Sequence, residues 1–252
     1  RVPEDGGPQY ALLLTQNGGG FAARWDAQGN RTTGFTADPA ADAPAMAFHL
    51  RDLETGEHFS LTPGADVSGR AEHKVRFGQE GYAVFEAVGV EARLKASMTA
   101  FVPPDSPSAF LVFDVENLGS GPRRLDLTGL VDLALGEAPR QANRSVVVSR
   151  DPETGTLLAR NPDGKFPEAS AFFAAVVGRP SSYGTDRAGL LGVGGDLGEP
   201  AALSRPELDG SPASQGNPMA ALRLPILDLR EHGDTARVVL VLGQGKDREE
   251  AL

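Results

Sequence analysis

The stretch VEARLKASMTAFV, residues 90 to 102, places Val90, Ala92, Leu94, Ala96, Met98 and Ala100 at alternate positions with Glu91, Arg93, Lys95, Ser97 and Thr99 between them. A period of two puts all the apolar groups on one side of a strand and scatters them around a helix, so this segment is a strand with one buried face. Shorter runs of the same kind recur at YALLLT (10 to 15), MAFHLRD (46 to 52), EHFSLTPG (57 to 64), EHKVRFG (72 to 78) and YAVFEAVG (82 to 89), with ASAFFAAVVG and TARVVLVLG later. Turn residues separate them, 31 glycines and 19 prolines in all. Two hairpins are predicted, one turning at the Gly/Ser/Pro cluster of residues 119 to 122 and one at Asp151-Pro152-Glu153-Thr154-Gly155. The segment from about 192 to 220 is rich in Gly, Pro and Ser and is expected to be irregular, and ADPAADAPA (37 to 45) is expected to be a surface loop. No internal repeat is evident. Some dozen short strands without a βαβ rhythm imply an all-β fold, a large antiparallel sandwich.

The chain has 252 residues, enough to bury roughly 70–75% of its extended surface. Its net charge of −10 repels phosphate backbones and anionic headgroups, so nucleic acid is excluded as a partner. It has no cysteine, hence no disulfide, thiolate nucleophile or Cys-type zinc site. No apolar run approaches the roughly 20 residues of a membrane span, so direct membrane insertion of this domain is not expected. The residues at the C-terminus, GKDREEAL, offer Asp247 as an N-cap with Glu250 three places on, the pattern of a capping box. The expected organisation is therefore a sandwich over residues 1 to 246 and the start of a linker helix at 247 to 252, within a domain cut from a longer chain.

Catalytic groups are scarce. Of the four histidines, none stands at the i, i+4 spacing of a helical metal pair, and no metal site is expected. His49, His58 and His73 fall at polar-alternating positions of predicted strands and are expected to face solvent. There is no G-x-S-x-G elbow, and LLGVGGD (190 to 196) lacks the lysine and the strand–loop–helix setting of a phosphate loop. Asn30-Arg31-Thr32 and Asn143-Arg144-Ser145 are formal glycosylation sequons. What stands out is Asn17-Gly18-Gly19-Gly20, followed by Arg24, Trp25 and Arg31. Three glycines mark backbone that turns tightly or approaches another surface. A tryptophan between arginines suits a sugar, and a plain hairpin loop with Trp25 tucked against the sandwich suits the same residues.

The stretches QYALLLTQNGGGFAARWDAQGNRTTGFTADP and AFHLRDLETGEHFSLTP carry a resemblance that continues along nearly the whole chain. It runs through Phe101-Val102-Pro103, Val115 to Leu118, Pro122 to Thr128, DPETGTLLARNP (151 to 162), TDRAGLLG (185 to 192) and VLGQGKDREEA (241 to 251). In these residues the chain resembles the N-terminal sandwich domain of the inverting glycoside phosphorylases, which include cellobiose and chitobiose phosphorylase. It is more similar still to the phosphorylase-like region of cyclic β-1,2-glucan synthase. It departs from the pattern at Phe21-Ala22-Ala23, Phe59, Leu130 and Asp132.

The resemblance implies a galactose mutarotase-like β-supersandwich followed by linker helices and an (α/α)6 barrel that holds the general acid. No catalytic residue is then expected in this chain, and no cofactor beyond inorganic phosphate as co-substrate of the parent enzyme. The implied partners are a β-glucan or oligosaccharide, the chain's own C-terminal barrel and a second copy in a homodimer. The implied location is cytoplasmic, or cytoplasmic as part of an inner-membrane protein. Substrate contacts are expected from Asn17, Gly18, Gly19, Gly20, Arg24, Trp25 and Arg31. Two other readings are open: a free-standing carbohydrate-binding module, and an intact mutarotase-like enzyme, which requires a His/Glu or Asp/Glu constellation on one sheet face.

Overall fold

A computed structural model describes residues 10–25, 30–34, 44–136, 145–210 and 218–252. Two antiparallel sheets face each other. The first contains β1 (Ala11–Leu14), β2 (Gly20–Ala23), β3 (Arg31–Thr33), β4 (Met46–Asp52), β5 (His58–Ser60), β10 (Arg123–Gly136), β14 (Ser182–Asp186) and β15 (Pro218–Leu229). The second runs in the order β11 (Val147–Arg150), β12 (Leu157–Arg160), β13 (Ser170–Val177), β16 (Thr235–Gly245), β9 (Ser108–Asn117), β8 (Leu94–Phe101), β7 (Tyr82–Gly89) and β6 (Ala71–Phe77). The all-β sandwich expected from the alternation is what the chain forms. In β8, Leu94, Ala96, Met98 and Ala100 are buried while Lys95, Ser97, Thr99 and Phe101 are half-exposed. Between the sheets Phe48 and Phe113 meet at 4.9 Å between ring centroids, with Phe85 and Phe173 buried in the same core.

Two sequence-based expectations fail at element boundaries. The alternation over 90 to 102 overruns its strand, because residues 90 to 93 form the turn between β7 and β8. The segments flanking residues 119 to 122 do not form a hairpin. β9 pairs with β8 and β16, whereas β10 pairs with β3, β4 and β15, so this connection passes from one sheet to the other. At the C-terminus the Asp247 carboxylate accepts from the Glu250 amide at 2.9 Å, as an N-cap does, and residues 248 to 251 form a turn. The hairpin at 151 to 155 does form, with Val147 opposite Arg160.

That hairpin turn has a twin. In Asp52-Leu53-Glu54-Thr55-Gly56 the Asp52 Oδ1 accepts the amides of Glu54 (2.8 Å) and Thr55 (3.2 Å), and Gly56 closes the turn at φ 76°. In Asp151-Pro152-Glu153-Thr154-Gly155 the Asp151 Oδ1 accepts from Glu153 (3.1 Å) and Thr154 (2.9 Å), and Gly155 also has φ 76°. The free oxygen of each aspartate then takes a distant arginine: Arg123 at 3.0 Å for Asp52, Arg248 at 2.7 Å for Asp151. The repeated D-x-E-T-G is thus a local repeat in the sequence, used once in each sheet.

Residues 192 to 210 are irregular, as expected, and form a cover. With the short helix α1 (Arg187–Leu191) and a 3-10 turn at Ala201–Ser204, it lies on the outer face of the first sheet. There Leu190, Leu191, Leu197, Ala202 and Leu208 pack against Ala47, Leu130, Met219 and Ala221. The sheet supplies donors and the cover supplies carbonyls. Arg51 donates to Leu203 O (2.5 Å) and Arg205 O (2.7 Å), and Arg223 donates to Ala202 O (2.8 Å) and Arg205 O (2.7 Å). Both guanidiniums share the buried carboxylate of Asp126, and Arg223 also bonds Thr128 Oγ1 at 3.0 Å. Burial pushes the Arg223 guanidinium down to about 10, against the pull of Asp126, and the neighbouring Arg51 charge adds to the lowering.

Candidate functional site

The glycine run forms the β1–β2 hairpin loop. Leu14 faces Gly20, Thr15 N–H donates to Gly19 O at 2.9 Å, and Gly18 N–H donates to Thr15 O at 3.0 Å. Gly18 (φ 83°) and Gly20 (φ 124°) hold conformations that L side chains rarely adopt. A Cβ on Gly18 would run into the Thr62 methyl group, and one on Gly20 into the carbonyl of Leu13. All three glycines are buried, and Gly19 bridges to Pro44. Asn17 is exposed, with its carbonyl accepting the Gly64 amide at 2.8 Å. The loop is therefore a tightly packed turn that presents two amide side chains, those of Gln16 and Asn17.

Arg24 and its neighbours point another way. Arg24 is buried, and its guanidinium bonds Gln244 O at 2.6 Å and both carboxylate oxygens of Glu250 at 3.0 Å. Asn30 Nδ2 donates to Gln244 Oε1 at 3.1 Å and to Arg24 O at 3.3 Å, so the first sequon is spent on internal bonds; Asn143 of the second lies outside the described residues. The bond to Arg24 is the main reason the Glu250 carboxyl sits below the usual range, and Glu250 also accepts from the Lys246 amide at 2.5 Å. Trp25, half-buried at φ 63°, carries the Arg24 guanidinium 4.4 Å from its ring centroid and meets Phe166 at 5.4 Å. Arg31 lies over Phe21 at 5.0 Å. Of the seven residues expected to touch substrate, Arg24, Trp25 and Arg31 are thus engaged within the fold. Arg24 in particular fastens the end of β2 to the C-terminal turn.

The histidines depart most from expectation. His49 is fully buried, because the cover closes over the outer face of β4, and its Nε2 lies 2.8 Å from Leu197 O. Burial is the main reason its pKa falls to about 4, so the ring is neutral, with Nε2–H as the donor. His73 Nε2 lies 2.9 Å from Asp66 Oδ2. The Asp66 carboxyl is lowered overall: burial works against this, and the His73 hydrogen bond and the Ala71 amide outweigh it. His58 borders a cleft of about 420 Å³ lined in part by Phe59, Arg70, Val90 and Ala92. Its Nε2 is 3.1 Å from Arg70 and 3.3 Å from Glu199, and Arg70 also reaches Glu199 at 3.5 Å.

Histidine–acid pairs of the kind a mutarotase-like enzyme requires are therefore present at His73–Asp66 and His58–Glu199, of which the second borders the cleft. One Nε2 cannot serve both contacts at once: with a hydrogen it donates to Glu199, and without one it accepts from Arg70. Glu199 lies more than a hundred residues from His58, and Gln244 and Glu250 more than a hundred from Arg24, which local patterns in the sequence do not reveal. Among the described residues no His, Asp or Glu cluster could hold a metal ion, and no helix is long and apolar enough to cross a membrane.

The chain is 29% identical over 246 residues to the cyclic β-(1,2)-glucan synthase NdvB of Rhizobium meliloti, covering 96% of this chain and 8% of that protein. It is 26% identical over 258 residues to the N,N'-diacetylchitobiose phosphorylase of Vibrio furnissii, covering 98% of this chain and 31% of the relative. It thus spans less than a third of the length of either. Among solved structures, a bacterial glucoamylase in complex with acarbose superposes with a TM-score of 0.62 at 13% identity, over 96% of this chain and 31% of that one, a likeness of fold. The sequence model of the glycosyl hydrolase 94 supersandwich domain matches residues 6–252, and the chain belongs to that family.

Proposed function

We propose that the chain is the non-catalytic sandwich domain of a carbohydrate-active enzyme that acts on β-glucans, with inorganic phosphate as co-substrate of the parent. In this reading the domain docks on a helical catalytic barrel, shapes access to its active site and supports a homodimer. The match to the supersandwich family over residues 6–252, set against relatives of more than three times this length, carries the proposal. The Arg24–Glu250 clamp is consistent with it. It holds the C-terminal turn against the sandwich, and a domain that must present its neighbour at a fixed angle needs such a fastening.

The exposed side chain of Asn17 is part of what the glycine loop offers to a neighbouring surface. In an enzyme reconstituted with a relative's barrel, Asn17→Ala is expected to lower turnover at least several-fold while leaving the melting temperature of this chain unchanged. Gly20→Val, whose side chain meets the Leu13 carbonyl, is expected to lower both. Unaltered turnover in a reconstituted enzyme carrying Asn17→Ala would remove the loop from the active site.

A further inference from the structure

At the edge where β14 of the first sheet comes near β11 of the second lies a cleft of about 380 Å³, within the ~300–1,000 Å³ range of small-ligand sites. Tyr183 is among the residues that line it. The backbone of β14 fixes this ring, and Gly210 closes on its edge: Gly210 N–H donates to Tyr183 O at 2.9 Å, and a Cβ on Gly210 would come within 3.3 Å of the ring. Ser182 Oγ accepts the Leu208 amide at 3.0 Å, so the strand and the segment carrying Glu207 and Asp209 are tied together across the cleft. Arg150 comes from the other sheet, its guanidinium 5.2 Å from the Tyr183 ring centroid.

The polar groups are prepared for a ligand to an unusual degree. Among the described residues neither the Arg150 guanidinium nor the Glu207 carboxylate has an ion-pair partner in the chain, and both side chains are exposed at the cleft. Asp209 lies 3.8 Å from Arg205. One arginine and two carboxylates line the cleft, and Arg205, outside the lining, offsets Asp209, so no strong net field selects an ion. It offers an aromatic face flanked by a fork of donors on one side and carboxylate acceptors on the other.

We infer that this cleft binds a neutral saccharide, one or two pyranose units. One sugar face lies on Tyr183, displacing Arg150 to the sugar's edge, and hydroxyl groups donate to Glu207 and Asp209 and accept from Arg150. The glycine loop plays no part, since Arg24 is already committed to Gln244 and Glu250. From the proposed role the inference takes only the class of ligand.

The test is calorimetric titration of this chain with cello-oligosaccharides, β-1,2-gluco-oligosaccharides and N,N'-diacetylchitobiose. At least one is expected to bind at millimolar or lower concentration. Glu207→Gln, an exposed substitution, is expected to weaken binding roughly tenfold, the loss of one charge-assisted hydrogen bond. Tyr183→Ala should abolish it, and Trp25→Ala should leave it intact. No binding of any of the three sugars overturns the inference, as does binding that survives Glu207→Gln unchanged or that is lost with Trp25→Ala alone. Because no barrel is needed, failure here leaves the docking role standing, and failure of the Asn17→Ala experiment leaves this cleft standing.

Discussion

Lowering the pH from 7 to 5 should destabilise the fold through one residue, His49. The ring is fully buried, its Nε2–H is given to Leu197 O, and its Nδ1 finds no partner. Its pKa lies at about 4 in the folded chain and 6.5 in the unfolded one. A depressed histidine means that the unfolded chain binds a proton, as pH falls below 6.5, that the folded chain refuses until about 4. The stability is therefore complete above 6.5 and is lost across that window on acidification. With each pH unit worth about 1.4 kcal/mol once the unfolded ring is protonated, the loss reaches about 2 kcal/mol at pH 5.

The neighbouring groups do not mask this effect. The lowered carboxyls of Asp66, Asp151 and Glu250 contribute stability that is lost only as pH falls below their reference values of 3.8 to 4.5. His58, 6.2 Å away between ring centroids, adds a repulsion that helps keep His49 neutral. The assay is urea unfolding at pH 7, 6 and 5 for the wild type and His49→Gln, whose amide can still reach Leu197 O. The wild type should lose about 2 kcal/mol more than the variant over this range. Equal slopes would mean that the ring is charged or solvated in the folded state, and the burial argument would fail.

Two further outcomes follow from buried charge. Asp126→Asn leaves the guanidiniums of Arg51 and Arg223 without their carboxylate, at a cost of roughly 3–5 kcal/mol, and amide exchange over 197 to 205 should rise before that of β10 as the cover loosens. Arg24→Met removes the bonds to Gln244 and Glu250, costing about 2 kcal/mol and releasing the buried Ala251, which hydrogen exchange at residues 245 to 252 would register.

What could be read from the sequence was whatever is local. Alternation located β8, and the turn chemistry of Asp151 to Gly155 located the second hairpin. The same logic failed at residues 119 to 122, because a turn signal states that the chain reverses and not which sheet it joins. His49 was misplaced because alternation separates two faces of a strand without telling whether the second face is covered. Here a segment 148 residues downstream covers it. Arg24 looked like a ligand group for the same reason: its partners at 244 and 250 are remote. The family pattern succeeded where periodicity did not, since it carries the whole order of segments at once.

Strand β10 joins the early and late parts of this chain. At Thr128 its neighbours are His49 on one side and Arg223 on the other, and near its end it turns to β3. None of these pairings is between adjacent segments, so β10 is held on both sides only when both the first fifth of the chain and its last fifth are available. Such long-range closures place folding at the slow end for chains of this size. They also make the domain intolerant of truncation from either side: a ribosome must release nearly the whole of it before its central strand can be flanked on both sides.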